Sequence, residues 1–299
     1  MENLILVAGG TGDLGSRIIK ALLKRNADVI ALVRETSDSR KIEELVNAGV
    51  KVIKADMSSL SELVTACKEV TCVVSALAGL KDTIVDTQSL ILDAAVAAGV
   101  SRFIPSDYSA DFTQIPKGEN RNFDLRKEFH ERLYAAPIAG TSVMNGAFSD
   151  ILFYNTPFFN LKNNSVGYWG TDPNFRVDFT TKDDTAAFSA AVALDSTAPR
   201  ILRIASFQIS ANELVKMATS IKNAEFKLIP MGSLEELSAH NKKERAANPQ
   251  GENELYPKWQ GSQYMHSMFT VQNNSLDNNR YPGIAWTPAE EILSSFLKS

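Results

Sequence analysis

The sequence has few of the residues that mark a secreted, metal-binding or membrane-spanning chain. Its 299 residues include two cysteines and three histidines, and neither type has the spacing of metal ligands. Cys67 and Cys72 are interpreted as reduced, buried thiols rather than as a disulfide. No apolar run approaches the roughly 20 residues of a transmembrane helix, and no signal peptide is recognisable at the N-terminus. We therefore expect a cytoplasmic protein without a membrane span or a metal site.

Positive charge is not in excess either. Lysine and arginine number 31 against 35 acidic residues, which gives a net charge of −4. This balance argues against nucleic acid or an anionic membrane as a partner, since both attract basic surfaces. The composition, 44% hydrophobic and 22% charged, is that of an ordinary globular protein. The length allows one large domain or two modest ones.

A short apolar run opens the chain and leads into a glycine loop. Leu4–Ala8 reads as a strand buried on both faces, Gly9 follows it, and a helical pattern begins at Leu14. Glycine lets a phosphate approach the backbone, and the first helical turn offers free N–H groups to an anion. The diphosphate of a dinucleotide is therefore expected at Gly9, Thr11, Gly12, Asp13, Leu14 and Gly15, with the Asp13 carboxylate turned away from it.

The residue that ends the second predicted strand indicates which dinucleotide binds. Arg34 follows Val29–Val33, about 20 residues beyond the loop, where NAD-binding folds place an acidic residue. An arginine there favours the 2′-phosphate of NADP(H), because a guanidinium forms paired bonds to phosphate oxygens. Lys41 could add to this clamp, whereas Arg40 is better interpreted as a solvated surface charge.

Strands and helices alternate through the first part of the chain. Strands are predicted at Val50–Ala55, Val70–Ser75 and Arg102–Pro105, and helices at Arg40–Ala48 and Asp82–Ala98. This alternation predicts an α/β fold with a Rossmann-type, doubly wound parallel sheet, and the nucleotide should lie along the carboxyl ends of the strands.

Three polar residues fall at that expected edge. Ser75 ends the fourth strand and Ser106 follows the fifth. Asp56 follows the third, either near the adenine or as the cap of a helix that begins around Leu60.

The second half contains a sixth strand and a dense group of aromatic residues. Thr141–Met144 is the predicted sixth strand. The aromatic residues are interpreted as the wall of an apolar pocket or as plain core packing. They are Phe148, Phe153, Tyr154, Phe158 and Phe159.

Later segments have clearer local signals. Ser210 and Glu213 form a predicted capping box, and residues 238–261 are expected to be a helix end and an exposed loop. Thr287 and Pro288 are expected to start the last helix.

These motifs resemble the NmrA-like branch of atypical short-chain reductases, close to the isoflavone reductase and phenylcoumaran benzylic ether reductase group. The residues that carry the resemblance are the GGTGDLG loop, the Val33–Arg34 pair, Arg102–Tyr108, Ile138–Thr141 and Phe148. The resemblance implies a Rossmann domain with a smaller C-terminal substrate lobe, NADPH binding, and hydride transfer to phenolic or other conjugated small molecules. On this basis residues 1–152 should form the NAD(P)-binding domain, strands near 176–206 should return to it, and residues 153–299 should be mostly the substrate-binding lobe.

The chain departs from this family at one position that bears on catalysis. Reductase members carry a lysine three residues past a phenylalanine; counted from Phe123, this position is Arg126. Arginine does not release a proton at working pH, so Arg126 is interpreted as an anion or ribose clamp. The next residue, Lys127, is either a proton donor facing the cleft or a surface lysine. His130 lies near Arg126 on the helical wheel and either faces the nicotinamide or borders the helix.

Two functions remain open from the sequence. No tyrosine is followed by lysine four residues later, since Tyr108 precedes Phe112 and Tyr134 precedes Ile138 at that spacing. Ordinary epimerase or alcohol dehydrogenase chemistry is therefore not expected. The first hypothesis is an NADPH-dependent reductase of a small apolar or aromatic substrate, with Lys127 and Arg126 as catalytic residues. The alternative is a non-catalytic NADP(H) sensor that binds a regulatory protein, as some NmrA-like members do.

Overall fold

The computed structural model describes residues 3–297, and the chain divides into two compact units. The first unit takes Met1–Tyr108, Leu125–Val143 and Thr185–Leu202. The second takes Ser109–Asp124, Met144–Asp184 and Arg203–Ser299. Within residues 176–206, the central stretch 185–202 belongs to the first unit and the flanking residues belong to the second. The assignment of a dinucleotide to residues 1–152 and of a substrate to residues 153–299 stays a prediction.

The first unit is built on one parallel sheet of six strands. The strands are β1 (Leu4–Ala8), β2 (Asp28–Val33), β3 (Lys51–Lys54), β4 (Cys72–Ser75), β5 (Arg102–Ile104) and β6 (Ala139–Gly140). They lie in the order β3-β2-β1-β4-β5-β6, and every neighbouring pair is parallel. The order changes direction between β1 and β4, which is the switch point of a Rossmann-type doubly wound sheet. The predicted fold class is therefore confirmed.

Six helices lie along the chain between residues 13 and 193. They are α1 (Asp13–Leu23), α2 (Ser39–Asn47), α3 (Leu60–Ala66), α4 (Gln88–Ala97), α5 (Arg121–Ala135) and α6 (Lys182–Ala193). A π-helical segment, Asp82–Thr87, precedes α4, so the helix predicted over Asp82–Ala98 consists of two parts.

Helices cover both faces of the central strands, and this explains their composition. Every residue of β1 and β4 is buried, which is why neither strand alternates between apolar and polar residues. On one face Leu6, Val73 and Phe103 pack in one core with Leu92 of α4 and Phe129 of α5. Cys67 and Cys72 are free, buried thiols, as predicted.

The sixth strand of the sheet is not the predicted one. β6 is only two residues long, and β7 (Ser142–Met144) pairs instead with β12 (Ile201–Arg203). The amide of Thr141 still donates to the carbonyl of Phe103 in β5 at 3.0 Å, and the next amide, that of Ser142, donates to the carbonyl of Arg200 at 2.9 Å. Residues 142–144 therefore form a buried strand, but this strand pairs with β12 and not with β5.

Among the described residues 3–297, the second unit contains two three-stranded sheets and four complete α-helices. One sheet is ordered β14-β10-β9 and the other β13-β11-β8. The strands are β8 (Ala147–Phe148), β9 (Phe159–Asn160), β10 (Ser165–Tyr168), β11 (Arg176–Thr180), β13 (Phe207–Ser210) and β14 (Lys227–Pro230). The helices are α7 (Ala211–Lys222), α8 (Leu234–Ala247), α9 (Lys258–Thr270) and α10 (Ala289–Leu297).

The aromatic residues near position 158 belong to the core of the second unit. Phe158 and Phe159 are fully buried. Phe158 stacks on Phe179 with ring centroids 5.8 Å apart, and it meets Phe269 edge-on at 5.5 Å. For these two residues core packing, rather than a pocket wall, is the correct interpretation. Tyr154, by contrast, is exposed.

The segment 238–261 contains the predicted helix end and a connecting stretch that is largely exposed. The Ser210–Glu213 capping box of α7 is confirmed. Helix α8 ends at Ala247, a short 3-10 turn covers Pro249–Asn253, and α9 begins at Lys258. The buried guanidinium of Arg121 donates to the main-chain carbonyls of Gly251, Glu252, Glu254 and Leu255. This support comes from more than 100 residues away in the sequence, so local composition does not reveal it.

Within residues 3–297, no helix combines the length and the apolar character that crossing a membrane requires. Among the same residues, no cluster of histidine, cysteine, aspartate and glutamate is arranged to hold a metal ion.

Candidate cofactor and active site

The glycine loop between β1 and α1 is folded tightly on itself. Gly9 has a positive φ of 84°, and its carbonyl accepts from the amide of Gly12 at 2.9 Å. A Cβ on Gly9 would lie 2.7 Å from the carbonyl oxygen of Ala76, and one on Gly15 would lie 2.2 Å from the carbonyl oxygen of Gly9. The backbone therefore admits no side chain at either position.

Gly10 also has close neighbours, but these are side-chain atoms rather than backbone, and the three-residue spacing did not reveal this contact. A Cβ there would lie 2.7 Å from Cδ1 of Ile19 and 3.1 Å from Cβ of Ala31. The available signal was its place beside Gly9 at the end of a buried strand, where the first helix must pack closely on the sheet.

The start of α1 is shaped for an anion. Gly12 is the N-cap and offers no side-chain acceptor to the N–H groups of the first turn. These groups and the helix dipole favour a negatively charged ligand, and Gly12 itself is exposed. The Asp13 carboxylate accepts from Nε of Arg17 at 2.7 Å along the helix. The residues present therefore fit the diphosphate of a dinucleotide.

Two cations lie at the carboxyl end of β2 and the start of α2. Nζ of Lys41 donates to the main-chain carbonyl of Thr11 at 3.1 Å, which brings this ammonium group to the glycine loop. Arg34 is exposed, and its main chain forms a tight turn with Ser37. Asp38 caps α2 by accepting from the amides of Arg40 and Lys41. A phosphate on the adenosine side of a dinucleotide would meet positive charge here.

Asp56 is exposed at the end of β3 and does not cap the next helix. Ser59 is the N-cap of α3, so that alternative is wrong. The Asp56 carboxylate accepts from the backbone amide and then from the hydroxyl of Ser58, and these bonds lower the pKa of Asp56. The amide of Asp56 in turn donates to Glu62 at 2.9 Å.

Ser75 and Ser106, at the carboxyl end of the sheet, differ in whether their hydroxyl groups are already hydrogen-bonded. Ser75, the last residue of β4, is buried, and its hydroxyl has no hydrogen-bond partner among residues 3–297. Ser106 is engaged, since its hydroxyl donates to the carbonyl of Leu77 at 2.6 Å and its amide donates to Gln88 at 2.9 Å. Ser75 is thus the residue with hydrogen-bonding capacity to offer a ligand.

Helix α5 carries the residues considered for catalysis. Nε of Arg126 donates to the main-chain carbonyl of Asp107 at 3.1 Å, and Lys127 is partly buried. His130 is buried, with Nε2 2.7 Å from Oδ2 of Asp107. The structure therefore joins Arg126 and His130 through Asp107, a residue that sequence reasoning missed. The available signal was its position in the loop that follows the fifth strand, three residues after Ile104.

A family model described as the NmrA-like family matches residues 1–286. Pinoresinol reductase 2 of Arabidopsis thaliana is 30% identical over 213 residues, which cover 66% of each chain. Eugenol synthase 2 of Clarkia breweri is 30% identical over 156 residues, which cover 50% of each chain. The chain thus aligns with less than two thirds of the length of these curated relatives.

Solved structures share the fold over nearly the whole chain. The structure of AtPrR2 with NADP+ and (+)pinoresinol has a TM-score of 0.80 at 24% identity and 99% coverage of both chains. The leucoanthocyanidin reductase–NADPH complex from Vitis vinifera also has a TM-score of 0.80, at 16% identity, with 99% of this chain and 100% of that chain covered. At these identities the likeness establishes the fold.

Proposed function

The chain belongs to the NmrA-like family, and from this premise we propose that it is an NADPH-dependent reductase of a small aromatic molecule. The observation that carries the proposal is the uncapped start of α1 at the glycine loop, with the Lys41 ammonium group held on the loop carbonyl of Thr11. Relatives named for pinoresinol and eugenol, and structures named with NADP+ or NADPH, support the same cofactor and an aromatic substrate.

Different residues of the chain would bind different parts of the cofactor. The amides at the start of α1 would hold the diphosphate, and Arg34 with Lys41 would hold the 2′-phosphate. Ser75 would offer its hydroxyl at the end of β4. When bound, the cofactor supplies the hydride.

Arg126 would face the substrate as an anion clamp. Its guanidinium keeps its proton, so it stabilises negative charge on a substrate oxygen and does not serve as an acid. The carbonyl of Asp107 fixes the guanidinium through Nε. Lys127, the next residue on α5, stays a prediction as the proton donor.

An assay of cofactor consumption tests the proposal. Purified protein is mixed with NADPH, or with NADH, and a panel of quinones, enones and aryl ethers. We expect oxidation of NADPH above background with at least one aromatic member, and slower oxidation of NADH. Background rates across the whole panel would contradict a reductase.

A second candidate function rests on Arg126 itself. An arginine at this position holds charge but gives no proton, which favours a non-catalytic NADP(H) sensor with a regulatory protein partner. Such a sensor would bind NADP+ and NADPH with comparable affinity and would retain a protein partner in a pull-down. A strong preference for the reduced cofactor together with turnover would exclude it.

A further inference from the structure

One face of the sheet β14-β10-β9 lies on the core of the second unit, and the other face lies outside it. The register pairs Val166 with Phe159 and with Leu228, and these three side chains pack in or against the core. Alternate residues of a strand point to opposite faces, so the outer face carries Asn160, Ser165, Gly167 and Ile229. A sheet face outside the core normally carries polar side chains. Ile229 and the nearby Met231 are nevertheless 37% and 42% exposed.

A cavity of about 260 Å³ lies on this outer face. The residues that line it are Asn155, Pro157, Asn160, Ser165, Ile229 and Met231. Gly167 of β10 lets two of these residues come close to the sheet. A Cβ on Gly167 would lie 2.5 Å from the carbonyl oxygen of Pro157 and 2.9 Å from Cγ of Met231. The amide of Gly167 also donates to the Pro157 carbonyl at 3.1 Å. The backbone of the sheet therefore sets the walls of the cavity.

The polar side chains that line the cavity can donate hydrogen bonds. Oδ1 of Asn155 accepts from the amide of Leu161 at 3.1 Å. Oδ1 of Asn160 accepts from the amide of Asn163, also at 3.1 Å. These bonds fix the oxygen end of each side-chain amide, because a backbone N–H bonds to the oxygen and not to the NH2 group. Neither Nδ2 group, nor the hydroxyl of Ser165, bonds to another of the described residues 3–297. Of these residues, none that lines the cavity is charged.

The size and the lining of the cavity together indicate what it binds. Pockets for drug-sized molecules measure about 300–1,000 Å³, so a cavity of 260 Å³ suits a molecule with a single ring. Ile229 and Met231 offer the ring an apolar surface. The free amide donors require acceptor oxygens on the ligand. An anion would meet no cation among the six lining residues.

A second copy of the chain fits this face less well than a small molecule does. A stable interface covers about 800 Å² on each partner, whereas two exposed apolar side chains supply only a fraction of that area. β14 is an edge strand of its sheet, but Pro230 has no amide with which to pair another strand.

We propose that this cavity is an additional small-molecule site, which binds a neutral, single-ring aromatic molecule through its ether or carbonyl oxygens. Nδ2 of Asn155 and Nδ2 of Asn160 donate to those oxygens, and the ring packs on Ile229 and Met231. All the lining residues belong to the second unit. The site therefore needs neither the dinucleotide nor the proposed reductase activity.

Methyl NMR spectroscopy tests the proposal at the site itself. The probe is para-methoxyacetophenone, titrated into the full-length protein labelled at the methyl groups of isoleucine and methionine. We expect saturable shifts of the Ile229 and Met231 signals, with a dissociation constant of about 1 mM or below. This constant should be the same with and without NADP+. The anion para-methoxybenzoate has a similar shape and should bind at least about fivefold more weakly.

Variants test the donor and the apolar surface separately. Asn160→Asp keeps the oxygen that accepts from Asn163 but replaces the NH2 donor by an oxygen that repels an acceptor. We expect its dissociation constant for para-methoxyacetophenone to be about fivefold higher or more. Asn163→Asp is the matched control, at an exposed asparagine outside the lining, and should leave the constant unchanged. Ile229→Thr should also weaken binding, whereas Val46→Thr, at an exposed valine on α2, should not.

Several results would overturn the proposal. They include the absence of saturable shifts at Ile229 and Met231 up to about 10 mM ligand, binding that requires NADP+, and equal binding of the anion and the ketone. Equal effects of Asn160→Asp and Asn163→Asp would do the same. A dimer in sedimentation velocity that Met231→Lys dissociates would show that a second copy covers this face instead. If Asn160→Asp does not fold, the comparison of the two ligands on the natural protein still decides.

Discussion

At the scale of single residues, the position that ends β2 has the most direct consequence. Arg34 is exposed at the strand's carboxyl end, and Lys41 reaches the glycine loop from α2. Two positive charges at this edge suit a phosphate that NAD+ lacks. The cofactor preference of the protein is therefore expected to follow from these two side chains.

Replacing Arg34 by aspartate tests this. A charged hydrogen-bonded contact contributes about 1.5–3 kcal/mol, so Arg34→Asp should weaken NADP+ binding about tenfold to a hundredfold, as measured by calorimetry. Arg40→Asp, at an exposed arginine on α2, is the control and should change the affinity little. Unchanged NADP+ affinity in Arg34→Asp would show that the 2′-phosphate lies elsewhere.

Asp178 gives a prediction about stability and pH. Burial raises the pKa of this carboxyl, although it accepts from Gln208 Nε2 at 2.6 Å and Asn273 Nδ2 at 2.7 Å. An acid whose pKa is higher in the folded than in the unfolded state costs stability when it ionises, and the cost appears as pH rises from the unfolded to the folded pKa. The melting temperature of Asp178→Asn relative to the natural protein should therefore rise as pH increases.

Melting curves from acidic to neutral pH check this difference. Asp93→Asn carries the same chemical change on an exposed residue of α4 and should track the natural protein at every pH. If the difference in melting temperature between Asp178→Asn and the natural protein stays constant with pH, ionisation of Asp178 does not contribute to that difference.

At the scale of elements, the glycine loop and the start of α1 pack tightly against each other. Gly15→Ala would place a Cβ 2.2 Å from the carbonyl oxygen of Gly9, where backbone rather than a flexible side chain must move. We expect a loss of stability of about 1–3 kcal/mol and a loss of NADP+ affinity, measured by thermal unfolding and calorimetry. Gly261→Ala is the matched control: nothing lies within 4 Å of its Cβ in helix α9, and it should stabilise by about 0.5–1 kcal/mol. Equal changes in stability and in NADP+ affinity for the two variants would contradict the argument that the loop and α1 are closely packed.

Arg121 supports the segment between α8 and α9. Its buried guanidinium donates to four carbonyls and lies 4.8 Å from the centroid of the Trp259 ring. Arg121→Met leaves these carbonyls without their donor and should lower the free energy of unfolding by about 3 kcal/mol or more. Arg132→Met, at an exposed arginine later on α5, should cost little in the same denaturation experiment. A small loss of unfolding free energy in Arg121→Met would mean that water molecules donate to these carbonyls in place of the guanidinium.

At the scale of the whole molecule, the sequence predicts the parts whose signals are local. The strand–helix alternation through β5 and the glycine loop were predictable because buried parallel strands and helix starts have their own composition. The pairing of residues 142–144 with β12 and the bonds from Arg121 to the segment after Ala247 were not predictable, because they join residues that are distant in the sequence. The contact between Asp107 and His130 joins residues that are 23 positions apart. An aspartate and a histidine at this separation form no pattern from which the contact could be predicted.

The central claim is that main-chain amides at the start of α1 hold the diphosphate of a dinucleotide while Arg34 and Lys41 select the phosphorylated form. Calorimetric titration of the purified protein with NADP+ and with NAD+ tests it most directly. We predict that NADP+ binds with one molecule per chain and at least about tenfold more tightly than NAD+. Equal affinity for the two would contradict the role of the cations, and binding of neither would contradict the whole account.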